Sequence, residues 1–272
     1  ARNLSPKVAL IYFINPLVIL EFTGNLHFES VMIFFILLSV YFLQQKKIIP
    51  GAVSVAMAII AKLLPVMYMP VMLKYLPFKK AIIYYLIAGI FVVLSFTPLV
   101  SIEFIEGLSS SLDLYFRKFE FNASIYFIAR AIGYAITGYN EIARIGPVLG
   151  LLTIISILTY VVKTDQNKVT LAEALLFIHL IYLLFATTVH PWYITTLLAL
   201  SAVTKYRFAI VWSAVIFLTY IGYHKTGFSL PDWVLYIEYG TLALAFGYDY
   251  LNKYDTKIKN LSDNFSRSTE KS

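Results

Sequence analysis

The chain has 272 residues and no cysteine; it is 60% apolar, only 14% charged and carries a net charge of +7, with a mean hydropathy of +0.76. A soluble domain carries about 25% charged residues, so an ordinary soluble enzyme is excluded, and so is disulfide or Cys-metal chemistry. Nucleic-acid binding is not expected either, because the basic residues sit in short loops and a tail rather than on one surface. The first residues, "ARNLSPK", lack the pattern of a signal peptide. An apolar run follows at once, so the chain reads either as the C-terminal part of a longer module or as one whose initiator Met has been removed.

Lys and Arg mark cytoplasmic loops. Here they fall at Arg2/Lys7, Lys46/Lys47, Lys74/Lys79/Lys80, Lys163/Lys168, Lys205/Arg207 and throughout the tail. With all of these on one side, residues 8–20 cross outward and 30–43 return, which leaves "EFTGNLHFES" outside. Residues 48–73 lie between two basic loops and must cross an even number of times. They are too short for two spans of ~20 residues, and Pro65 and Pro70 can break helix, so a re-entrant pair of short helices is expected. Residues 81–100 cross outward to an external loop, 101–123. Residues 124–138, with Arg130, read as an interfacial helix. Spans at 145–162, 171–189, 191–203, 208–223 and 232–250 follow. The expected fold class is all-α, a polytopic transmembrane helical bundle, with a membrane domain over 1–251 and a polar, disordered cytoplasmic tail over 252–272. Neither inverted-transporter repeats nor the alternating segments of a β-barrel are present.

Polar residues in the apolar background are the candidates for chemistry. In "NPLVILEFTGNLHFES" (15–30), Glu21, Asn25, His27 and Glu29 crowd one turn. Capping and solvation alone could explain them, with Gly24 ending one helix and Asn25 capping the next. The following apolar segment, however, is ~14 residues long, or ~21 Å of helix against ~30 Å of hydrocarbon, which recesses its polar end. Lys62, in "AIIAKLLPVMYMP", is either a snorkelling lysine or a cation in a cavity suited to a phosphate. The stretch "SIEFIEGLSSSLDLYFRKFEFNASIYF" mixes acids, Arg117, Lys118 and aromatics, with a formal glycosylation sequon at Asn122. In "ATTVHPWYITTLL" (186–198), Pro191 suits a first helical turn and places His190 just before a short helix. An aromatic belt explains Trp192 and Tyr193 but not the His-Pro step. No metal is expected, since no His-x-x-Glu-His-like spacing occurs, and no cofactor is implied.

These stretches, with "AKLLPVMYMPVML", "YFRKFEFNASIYFIARAIGYAITGYN" and "TTVHPWYITTLLAL", resemble the GT-C superfamily of integral-membrane glycosyltransferases. The nearest likeness is to bacterial proteins described as mannosyltransferases, relatives of the polyprenol-phosphate-mannose-dependent enzymes. The resemblance implies a GT-C-like helical fold in the bacterial cytoplasmic (inner) membrane. It also implies transfer of a mannosyl or hexosyl group from a polyprenyl-phosphate sugar donor to a lipid or glycan acceptor at the extracytoplasmic face. Carried over by motif, Asn25, His27, Glu29 and Asn122 line the substrate site, Lys62 meets the carrier phosphate, and His190 and Tyr193 hold the donor. The resemblance places the base, a carboxylate in the first external loop, upstream of Ala1. A lipid-linked-sugar transporter or flippase, or a non-catalytic membrane subunit, are the alternatives.

Overall fold

The computed structural model describes residues 7–225 and 227–269, with side chains as far as Asn252. The fold is all-α. Among the described residues the only sheet is a hairpin of two two-residue strands, Tyr223–His224 and Gly227–Phe228. The chain divides into two compact units, Ala1–Thr204 and Lys205–Ser272.

Unit 1 opens with α1 (Lys7–Phe13) and α2 (Pro16–Val18), which continues into a wide π turn, Ile19–Gly24. The expected single crossing at 8–20 is therefore a broken one, bent by 52°. The cause is local: Asn15 takes extended backbone and its side chain caps Leu17 N, with Pro16 at the first helical position. Helices α3 (Glu29–Gln44) and α4 (Ile48–Ala61) then pack closely as a hairpin. Ser39 donates to the Gly51 carbonyl at 2.8 Å and sits 3.0 Å from the Tyr84 hydroxyl.

The expected break within 48–73 falls at Lys62, where the backbone turns extended (φ −160°, ψ 132°). A 3-10 segment, Leu64–Tyr68, and α5 (Met69–Tyr75) follow, each with a proline in its first turn. The missing proline N–H costs nothing there, so the two prolines start new segments where they would have kinked a continuous one.

Helix α6 (Phe78–Phe96) extends through a 3-10 turn to Leu99. The segment after it, expected as an external loop, is an amphipathic helix, α7 (Ile102–Arg117), capped by Ser101. Helix α8 (Ile125–Thr137) ends on Gly138 in the left-handed region (φ 81°), and α9 (Ile142–Lys163) follows. Phe78–Leu99 and Ile142–Lys163, 22 residues each, are long and apolar enough to cross a membrane, and most of their length is exposed apolar surface. In contrast, α10 (Leu171–Phe185) and α11 (Ile194–Ala202) are buried on nearly every side, the pattern of central helices. A capping box between Thr170 and Glu173 starts α10.

Unit 2 holds α12 (Phe208–Val215), a 3-10 segment to Gly222, the hairpin, and α13 (Asp232–Thr269). The Asp249 carboxylate accepts from the Arg207 and Phe208 amides and so caps α12. Trp212 donates to the buried Glu238 at 2.7 Å. The backbone of α13 runs on through Thr269. Most of the tail expectation for 252–272 concerns side chains beyond Asn252 and residues 270–272, which lie outside the described part, as does Arg2.

Candidate functional site

The π turn at Ile19–Gly24 is the first element of the site. It turns Glu21 inward, where the side chain is fully buried. Asn25 Nδ2 donates to Glu21 Oε2 at 2.9 Å, and His27 Nε2 lies 3.3 Å from the same oxygen. Leu26, between them, has φ +55°, a conformation that a bulky residue adopts only when its surroundings require it. The reversal at Leu26 brings both neighbours back onto Glu21. Asn25 is thus not the N-cap of the next helix. Phe28 holds that position in α3, and the Asn25 side chain is committed to Glu21.

Glu29, the first residue of α3, is buried and paired with Lys62. The α3–α4 hairpin explains the pairing. Its two helices run antiparallel, so the start of one meets the end of the other. Lys62 Nζ also lies 4.5 Å from the centroid of the Tyr193 ring, within range of a cation–π contact.

The second half of the site comes from the segment after α10. There, residues 187–189 pair with the stretch that leaves α7: Phe121 N donates to the Thr187 carbonyl and Val189 N to the Phe121 carbonyl. This short parallel bridge places His190 against Phe121, with ring centroids 4.5 Å apart. Pro191 begins a 3-10 turn, Pro191–Tyr193, with His190 at its N-cap, and α11 continues from it. Trp192 stacks with His190 at 4.2 Å and with His27 at 3.9 Å. His190 Nδ1 is buried without a hydrogen-bond partner among the described residues. Burial, helped by the nearby charges of Lys62 and His27, holds the His190 imidazole down to about 4, so the ring is neutral near pH 7.

Of the expected residues, Asn25, His27, Glu29, Lys62, His190 and Tyr193 converge in one cluster. Asn122 sits behind them, fully buried, with φ +44° and its amide 3.5 Å from the Val189 carbonyl. Its position beside the 187–189 bridge suits a structural role, and its burial hides the formal sequon. The sequence pattern singled out neither His179 nor Tyr68, Tyr115 and Tyr182. The hydroxyl of Tyr68 lies 2.7 Å from His179 Nδ1, and His179 Nε2 lies 3.4 Å from the Tyr193 carbonyl. Tyr115 and Tyr182 share a hydrogen bond of 2.8 Å. A lone His179 inside "LLFIHLIYLLF" was the available signal, since a buried imidazole needs partners. Glu120 forms a separate group, accepting from Tyr126, Arg130 and Asn140, which staples α8. Among the described residues no group of three or more His, Asp or Glu side chains could hold a metal ion.

No curated protein matches the chain, and no solved structure does. Residues 2–76 match a family model described as "Alpha-(1->6)-mannopyranosyltransferase, N-terminal domain". That stretch carries Asn25, His27, Glu29 and Lys62, while Asn122, His190 and Tyr193 lie beyond it. With two membrane-length apolar helices, the match supports a membrane protein of mannosyltransferase-like kind, and so a glycosyltransferase with a sugar donor and an acceptor.

Proposed function

We propose that the chain is the donor-binding part of a membrane glycosyltransferase of GT-C type, which takes a mannosyl or hexosyl group from a polyprenyl-phosphate carrier at the extracytoplasmic face of a bacterial cytoplasmic membrane. The observation that carries this reading is the convergence on Lys62: a lysine at a helix break, in a chain with few charges, beside a buried carboxylate and a tyrosine ring. A cation placed there suits the carrier phosphate, both in binding and as charge develops on it when the glycosidic bond breaks. The His190 ring, neutral and with a free Nδ1, offers a hydrogen-bond acceptor to a sugar hydroxyl. Trp192, stacked against both His27 and His190, holds the two imidazoles in place along this wall. Asn25, His27 and Glu29 supply further polar groups along the same wall. The acceptor is a lipid or glycan hydroxyl, and the group that deprotonates it is not assigned within this chain.

The test is binding of radiolabelled polyprenyl-phosphate-mannose to the chain reconstituted in nanodiscs. Saturable binding that Lys62→Met and His190→Ala each weaken about tenfold or more, in variants that still melt cooperatively, is the expected result. Absence of binding, or binding by both variants as tight as by the wild type, refutes the assignment. Movement of labelled lipid across vesicles without sugar transfer by the full enzyme would instead identify a flippase.

A further inference from the structure

We propose that a second site, sharing no residue with the Lys62 cluster, binds the headgroup of an anionic phospholipid. Residues 73–77, at the end of α5, and 164–167, after α9, line a groove of about 690 Å³, within the range of small-molecule sites. The two walls are tied together: Lys74 Nζ donates to the Val162 carbonyl at 3.0 Å and the Tyr75 hydroxyl to the Val169 carbonyl at 2.6 Å. The groove lies where α6 begins and α9 ends. These are the two helices of membrane-spanning length, so it opens at a membrane boundary.

The charge there is one-sided. Lys74 is in the wall, Lys79 and Lys80 follow Pro77, Lys163 precedes Thr164, and Lys168 follows Asn167. Against them stand Asp165, already held by Lys168 at 2.9 Å, and Glu173, engaged in the capping box. Lys79, Lys80 and Lys163 have no ion pair or side-chain hydrogen bond among the described residues. Two of these three occupy the first turn of α6, where no acid is present and the helix dipole disfavours a cation. An anion in the groove relieves that repulsion. The rim decides which anion. Leu73, Phe78 and Val162, beside the groove, are all more than half exposed, an apolar shelf that an acyl chain covers and a soluble phosphate does not. Basic pockets at the ends of membrane helices recognise anionic headgroups in this way.

The test uses the absence of native cysteine. Asn167→Cys, carrying a fluorophore, is reconstituted in phosphatidylcholine vesicles containing a trace of headgroup spin-labelled phosphatidylglycerol or phosphatidylcholine. Quenching by the anionic lipid should exceed that by the zwitterionic one several-fold and fall as salt is raised. The preference should vanish in K79Q/K80Q/K163Q and persist in K46Q/K47Q, which removes lysines elsewhere. Should the triple variant melt early, Lys163→Gln alone is read, and a partial loss is expected. Equal quenching by the two lipids, or a preference untouched by the lysine substitutions, overturns the proposal. Loss of the preference on adding inorganic phosphate at matched ionic strength also overturns it, since the site would then serve a soluble anion. None of these readouts involves the sugar donor, so the result is independent of the glycosyltransferase reading.

Discussion

Trp192 stacks with His27 at 3.9 Å and with His190 at 4.2 Å, so one indole joins the turn before α3 to the turn before α11. The two imidazoles are 163 residues apart in the chain (190 − 27). Each aromatic pair is worth about 0.5–1.5 kcal/mol beyond burial. Trp192→Leu, which removes both contacts, should weaken donor binding by roughly 5- to 150-fold, whereas Trp192→Phe keeps a ring and should cost only a few-fold. A double-mutant cycle of Trp192→Leu with His190→Ala checks the coupling. Strictly additive losses would show that the stack does not support His190.

Lys62 and Glu29 make a partly buried ion pair in the site. Removing one partner strands the other, at a cost of about 3–5 kcal/mol in a fully buried case. Lys62 is about a third exposed, so a smaller loss is expected for Lys62→Met. The double variant K62M/E29Q should recover most of the melting temperature in detergent while donor binding stays lost. Recovery of both would mean that the lysine serves only the fold.

The two halves of this site were unequally legible in the sequence. The break at Lys62 and the start at Pro191 could be read because prolines occupy predictable positions at helix starts. The two helices of membrane-spanning length, α6 and α9, followed from composition. The π turn that buries Glu21 could not be read, since helical period does not reveal a single wide turn. The bridge between Phe121 and residues 187–189 was equally hidden, because it pairs two short extended stretches with no strand pattern of their own. It is this bridge that sets His190 against Phe121. The segment 101–117 was misjudged for another reason. Topology alone suggested a loop, yet Glu103, Glu106, Ser110 and Asp113 fall on one face of α7 at helical spacing, with Phe104, Ile105, Leu108, Leu112 and Tyr115 on the other.

His190 gives a pH prediction with a definite sign. Its pKa falls from 6.5 to about 4 in the folded state. The unfolded chain therefore binds the proton first, and folding stability is full above pH 6.5 and declines as pH falls from 6.5 towards 4. The wild-type melting temperature should drop over that window by more than that of His190→Asn, which has no such group. Equal drops would mean that His190 titrates normally and is not desolvated.

Gly146 in α9 tests how α7 is held. A Cβ there would lie 1.7 Å from the Phe116 carbonyl oxygen, a backbone atom that cannot move aside cheaply. Gly146→Ala should destabilise the docking of α7 by about 3 kcal/mol or more, at the high end of overpacking costs, and expose the end of α7 to protease. Gly150→Ala, whose Cβ would meet the Phe116 ring at 3.4 Å, should be nearly neutral. If both variants resist protease equally, the close approach of α7 to α9 is not present in the protein.

Orientation in the membrane is the remaining expectation, and single-cysteine labelling checks it directly because no native cysteine competes. The Lys74–Val162 and Tyr75–Val169 hydrogen bonds place residues 74–75 and 162–169 together. From there α6 leads away for 22 residues to Leu99, about 33 Å of helix and enough to cross the hydrocarbon. Helix α7 follows that far end, and α9 returns over a similar length. Lysines cluster at the near end, at Lys74, Lys79, Lys80, Lys163 and Lys168, which the positive-inside rule assigns to the cytoplasm. Ser110→Cys, in α7, should react with an impermeant maleimide added outside right-side-out cells, and Asn167→Cys should react only after permeabilisation. The site residues near His27 are read as sharing the side of Ser110, so Leu26→Cys, three-quarters exposed, should label with Ser110→Cys. Labelling of Ser110 and Asn167 from the same side would mean that α6 and α9 do not cross the membrane between them, and the extracytoplasmic placement of the donor site would fall with that result.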